Sequence, residues 1–233
     1  MIPIGDEDRP PVFPIAVYAL VAINVLVFVV ELGSANPTHF VDSFAMIPYD
    51  VTHGITLAPP SPPPLLTLIT AQFLHGSILH IGFNMLFLLV FGPDVEYLCG
   101  HRRFVAFYLF CGLVGNVAQI TIGPASHVPA LGASGAIAGV LGAYIVNFPR
   151  NEIRTIIPIG FFPLFFRIPA VLVIGLWIVT QVINGVGSIS PQLAQSQGGT
   201  AYFAHIGGFA CGVLAIGLFR VRRARVRDYR YYF

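Results

Sequence analysis

A helix needs about 18–21 predominantly apolar residues to cross the hydrocarbon of a bilayer. This chain repeats such a stretch at Phe13–Leu32, Phe73–Phe91, Phe104–Ile122, Leu131–Phe148, Ile168–Val186 and Tyr202–Phe219. Only 9% of its 233 residues are charged and 56% are hydrophobic, far from the roughly 25% charged residues of a water-soluble domain. A single soluble core of this size has no room for so much apolar surface. The sequence therefore predicts an all-α polytopic membrane protein with six transmembrane helices. A seventh apolar stretch, Ile156–Phe166, is short and broken by Pro158 and Pro163, and reads as an interfacial segment.

The basic residues test that count. All twelve are arginines. With six spans they fall before span one (Arg9), between spans two and three (Arg102, Arg103), between four and five (Arg150, Arg154, Arg167), or after six (Arg220, Arg222, Arg223, Arg225, Arg227, Arg230). The opposite connections, Gly33–Gln72, Gly123–Ala130 and Gly187–Ala201, hold none. Five or seven spans would break this separation, so both termini are expected in the cytoplasm of a multi-pass cell-membrane protein, read as a bacterial inner-membrane one. The domain reading is a cytoplasmic segment at 1–12, a membrane domain at 13–219 and a basic tail at 220–233 that lies on anionic lipid. "GDEDRP" before span one is net acidic, unlike a cleaved signal peptide, so span one reads as a retained anchor. "APPSPPP" in the first outer connection reads as a stiff linker. A net charge of +2 gives no argument for nucleic acid, and Cys99, Cys111 and Cys211 lack metal-like spacing.

Polar groups placed where lipid should exclude them are costly and tend to mark function. Three stretches carry them: "GASG" with Ser134, "AHIGGFACG" with His205, and "HGSILHIGFN" with His75, His80 and Asn84. Spans two, four and six all run inward from the outer face. Ser134 and His205 are each the fourth residue of their span, roughly 5 Å below the boundary. His80 and Asn84, four apart, share one face of span two.

The chemistry of that set is acyl transfer. A serine hydroxyl is a poor nucleophile until a base takes its proton, and imidazole titrates in the right range. The tetrahedral intermediate then needs donors aimed at its oxyanion. Asn84, a suitably protonated His80 and the Ser134 backbone N–H are candidates, the last because amides at a helix N-terminus lack intrahelical acceptors. Gly132 and Gly135 leave room for a substrate backbone. No Asp or Glu lies mid-membrane in spans two, four or six, so the expected arrangement is a Ser–His dyad. Each feature alone has a plainer reading. Small residues four apart are the usual sign of close helix packing, which Gly135, Gly139, Gly142, Gly208 and Gly212 would serve. His75 reads as structural, His101 as loop, and Glu96 with Gly100 as a turn whose carboxylate pairs with an arginine. A transporter is disfavoured, because charged groups are lacking near the midplane.

Together these motifs resemble the rhomboid intramembrane serine proteases. "HGSILHIGFN" is similar to the family's H-x4-H-x3-N, "GASG" to G-x-S-G, "AHIGGFACG" to A-H-x2-G-x3-G, and "VEYLCG" to E-x3-G. The resemblance implies Ser134 as nucleophile, His205 as general base, and His80, Asn84 and the Ser134 amide as the oxyanion hole. It also implies cleavage of the transmembrane helices of other membrane proteins near the outer face, with no cofactor. The runner-up is a catalytically silent relative that binds or escorts such helices. Two positions depart from the family pattern. The first outer connection has no Trp-Arg pair, and Ala138 stands where a tyrosine usually packs on the histidine, so another group must hold His205.

Overall fold

The computed structural model describes residues 1–8, 10–56, 61–159, 162–188 and 200–221. The long apolar stretches become α1 (Ile15–Gly33), α5 (Ile78–Cys99), α6 (His101–Ile122), α8 (Ala170–Ser188) and α9 (Tyr202–Phe219), each long and apolar enough to cross a membrane. The fourth stretch becomes a shorter apolar helix, α7 (Ser134–Asn147). Between α1 and α5 the connection folds into α2 (Pro37–Phe44), α3 (Pro48–His53), α4 (Pro64–Thr70) and a 3-10 turn at Ala71–Phe73. Of "APPSPPP", Ala58–Pro60 lie outside the described residues, Ser61–Pro63 take no regular structure and Pro64 opens α4. So do most of the basic tail and of the connection before α9.

α7 is the centre. Every residue from Gly135 to Tyr144 is buried, whereas α1, α8 and α9 expose large apolar side chains such as Leu26, Leu172 and Leu218. Helices surround α7 closely because its contact faces carry glycine. A Cβ on Gly208 would collide with the Gly135 carbonyl, and one on Gly212 with the Gly139 carbonyl, so α7 and α9 meet backbone to backbone. This is the small-residue packing that helices in lipid use where no hydrophobic drive separates them from their solvent.

Span boundaries differ from the sequence reading: α5 runs on to Cys99, past the expected end at Phe91, and two starts shift for identifiable reasons. The second helix starts at Ile78 rather than Phe73, because Ala71–Phe73 is a 3-10 turn and the Ser77 side chain caps α5, accepting the His80 N–H at 3.1 Å. α7 starts at Ser134 rather than Leu131, because Gly132 takes φ +121°, outside any right-handed helix and reserved for glycine. Ser134 is thus the first residue of its helix, not the fourth.

The end that carries Arg102, Arg150 and Arg167 holds the other surprise. Ile156–Phe166 falls in two antiparallel strands rather than a helix: β2 (Glu152–Ile159) pairs with β3 (Phe162–Pro169), and β1 (Ile2–Asp6) adds to β2 with Ile2 opposite Ile156. Pro158 and Pro163 lie opposite each other. Glu7 ties Arg154 (3.3 Å) and Arg167 (3.7 Å).

Glu96 also corrects an expectation. It lies inside α5, is 1% exposed, and pairs with no arginine among the described residues. Its two oxygens accept the backbone N–H groups of Ala16 (2.9 Å) and Val17 (2.7 Å), the orphan donors of the first turn of α1. His101, the first residue of α6, binds the same carboxylate. Gly100, at φ +72°, makes the one-residue turn between α5 and α6. The E-x3-G spacing thus joins three helices at one point.

Candidate active site

Ser134 is brought into place from both sides. Behind it runs α7. Ahead of it the loop is pinned to the α1–α5 connection: Met46 and Ala130 exchange backbone hydrogen bonds (3.0 and 2.8 Å), and Gly132 N–H reaches Ala71 O at 2.8 Å. Ala133 precedes the helix without a side-chain cap, so the first amides of α7 are left for other acceptors.

His205, in the first turn of α9, points across at it. Its Nε2 lies 2.7 Å from Ser134 Oγ, hydrogen-bonding distance for a hydroxyl and its base. The imidazole is 8% exposed. Its other nitrogen, Nδ1, is 2.8 Å from Oε1 of Gln181 on α8. Trp177, one turn before Gln181, lays its ring 5.8 Å from the imidazole at 37°, and Tyr202 stands edge-on to it at 6.4 Å. These three side chains hold His205 where Ala138, fully buried in α7, offers no ring.

Across from the pair, α5 presents His80 and Asn84 on one face. Ser134, His205, His80, Asn84 and Trp177 line a single cavity of about 650 Å³. Asn84 is 8% exposed and its Nδ2 has no partner among the described residues. A buried amide donor left open beside a hydroxyl is what an oxyanion requires. A Cβ on Gly132 would sit 2.7 Å from His80 Nε2, so the bare glycine is what lets His80 lie against the loop that carries the serine.

The remaining expected residues are placed as packing. Gly135 and Gly208 form the α7–α9 contact described above. His75 is fully buried, edge-on to Phe28 and to His80, and its backbone N–H donates to Glu31 (3.2 Å). Gln181 and Trp177 are not among the sequence candidates. The signal for Gln181 is nonetheless present, as a primary amide in the middle of the fifth apolar stretch.

With this arrangement established, the comparisons decide the family. The Rhomboid domain model matches residues 63–222. The chain belongs to the rhomboid family. This rhomboid is 29% identical over 204 residues to "Rhomboid protein 1, mitochondrial" of Saccharomyces cerevisiae, covering 85% of the chain and 51% of the yeast protein. It is 40% identical over 92 residues to "Rhomboid protease GluP" of Bacillus subtilis, covering 38% of the chain and 18% of that protein. It is 30% identical over 152 residues to "Presenilin-associated rhomboid-like protein, mitochondrial" of Homo sapiens, covering 64% of the chain and 36% of the human protein. The chain thus spans about half the length of these relatives, or less. Mitochondrial and bacterial members both appear among them, so similarity does not choose a membrane for this rhomboid.

Proposed function

We propose that this rhomboid is an intramembrane serine endopeptidase that cleaves transmembrane segments of other membrane proteins near the outer face. The observation that carries the reading is the 2.7 Å contact between Ser134 Oγ and His205 Nε2 in a cavity that also holds an unpartnered Asn84 amide. Similarity to a relative named as a protease supports it.

On this reading His205 Nε2 takes the proton from Ser134 Oγ as that oxygen bonds to the scissile carbonyl carbon. The negative charge that develops on the carbonyl oxygen is met by Asn84 Nδ2–H, the His80 ring N–H and the Ser134 backbone N–H. Collapse of the intermediate breaks the C–N bond, and Nε2 returns its proton to the leaving amine. Water then attacks the acyl-enzyme and gives a proton to Nε2; collapse breaks the C–Oγ bond, Nε2 returns that proton to Ser134 Oγ, and the second product leaves as the carboxylic acid. Each donor is worth most here, where lipid and protein exclude bulk water.

The test is covalent labelling. The purified full chain is exposed to a fluorophosphonate probe alongside Ser134→Ala and His205→Ala. Wild type is expected to label, and both variants to lose labelling while retaining the wild-type unfolding temperature. Equal labelling of all three would overturn the reading in favour of a silent, helix-binding relative.

A further inference from the structure

We infer that Gln181 of α8 is the positioning residue for the His205 base, fixing the tautomer that leaves Nε2 free to take the serine proton; this rests on the hydrolytic reading above.

The hydrogen-bond inventory around the amide has one consistent solution. Thr180 Oγ1 donates to the Trp177 carbonyl at 2.6 Å, so its oxygen is left to accept. Gln181 Nε2 lies 3.3 Å from that same carbonyl and 3.2 Å from Thr180 Oγ1. Both are acceptors, so the NH2 end of the amide faces them and Oε1 faces His205. An amide oxygen only accepts, so the proton of the neutral imidazole sits on Nδ1, 2.8 Å away. Nε2 is then the bare nitrogen, and it is the one at Ser134. In imidazole the partner of one nitrogen dictates the state of the other.

Burial points the same way. α8 buries only Ala170, Val173, Ile174, Gln181 and Gly185. A primary amide in lipid is expensive unless paired, and Gln181, at 9% exposure, is paired on both ends. The titratable neighbours of His205 are Tyr202 on its own helix, α9, and His80 on α5. Neither takes the place of Gln181 at Nδ1. A neutral amide orients the ring without the charge a carboxylate would bring.

The experiment compares full-chain wild type, Gln181→Met and Gln181→Glu in detergent, with Ser134→Ala as the blank. Methionine keeps the length and loses the acceptor. It is expected to lower kcat by about 10–100-fold with KM within about twofold, because a base that spends time in the wrong tautomer loses turnover and not substrate binding. Glutamate keeps the acceptor and adds charge. It is expected to restore most of the rate and to move the acidic limb of the kcat profile to higher pH, since an adjacent carboxylate favours imidazolium. Nitrogen-15 spectra of the histidine rings, with His205 assigned by its loss in His205→Gln, should show a neutral Nδ1–H form in wild type and a tautomer mixture in Gln181→Met. This last reading stands whether or not the protein cleaves anything. Wild-type kcat in Gln181→Met, an unmoved limb in Gln181→Glu, or an Nε2–H tautomer in wild type would each overturn the inference. If instead wild type and Ser134→Ala are equally inert, the hydrolytic reading fails, and the spectra still decide the role of Gln181. Where Gln181→Met fails to fold, the near-isosteric Gln181→Glu profile decides.

Discussion

One side chain with an unused donor does much to define this site. Asn84 Nδ2 is buried in the cavity without a partner among the described residues, a state that ordinarily costs about 1–3 kcal/mol and that a negatively charged oxygen would relieve. Asn84→Ala is therefore expected to lower kcat by about 10–10³-fold with little loss of stability, measured as turnover of a helical substrate beside thermal unfolding. An unchanged rate would remove Asn84 from the oxyanion site. Residues of this kind are readable from sequence because spacing along one helix fixes a shared face: His80 and Asn84 are four apart, and the structure finds both on the cavity. Ser134 and His205 are readable for a different reason. Each heads an apolar stretch that starts from the same face, so an even number of crossings between them sets them at similar depth. Gln181 and Trp177 are harder, because their meeting with His205 depends on how α8 rotates against α9, and no spacing within one segment encodes that.

At the scale of elements, the α7–α9 contact aligns Ser134 with His205. Gly208 touches the Gly135 carbonyl one residue past Ser134 and three past His205. Gly208→Val would wedge the helices apart. The expected result is a loss of about 1–3 kcal/mol of stability or more, as overpacking commonly costs, with probe labelling of Ser134 nearly abolished. Retained labelling would mean that the dyad does not depend on this seam. The N-terminal strand offers a pH test. Burial pushes the Asp6 carboxyl above the ordinary aspartate range, and hydrogen bonds from Tyr144 and the Asp8 amide pull it partly back. A raised acid favours its protonated form when folded. Its stabilising effect is thus complete below the ordinary value of about 3.9 and is lost as pH rises through the raised one. Asp6→Asn should unfold at a temperature that falls less than that of wild type over this interval; parallel curves would discount the strand as a titrating contact. The sheet itself lies beyond a sequence reading. Ile156–Phe166 looks like any short apolar run, and its pairing with Ile2–Asp6 joins segments some 150 residues apart, which local periodicity cannot report.

For the molecule as a whole, the separation of arginines predicts orientation, with both termini and the sheet in the cytoplasm. The three native cysteines are buried, so a single introduced thiol gives a clean signal. Thr38→Cys, exposed on α2, is expected to react with an impermeant maleimide in intact cells, and Glu152→Cys, exposed on β2, only after permeabilisation. The reverse pattern would invert the protein and place the cavity on the inner face. Depth has a further consequence. α7 is about 21 Å long, well short of the roughly 30 Å of bilayer hydrocarbon, and its foot is tied to β1 through Tyr144 and Asp6. The height of the serine is therefore counted in residues of one buried rod and owes nothing to the lipid around it. A protein built this way carries its own ruler, measuring from its base to the serine hydroxyl, whatever the thickness of the membrane in which it floats.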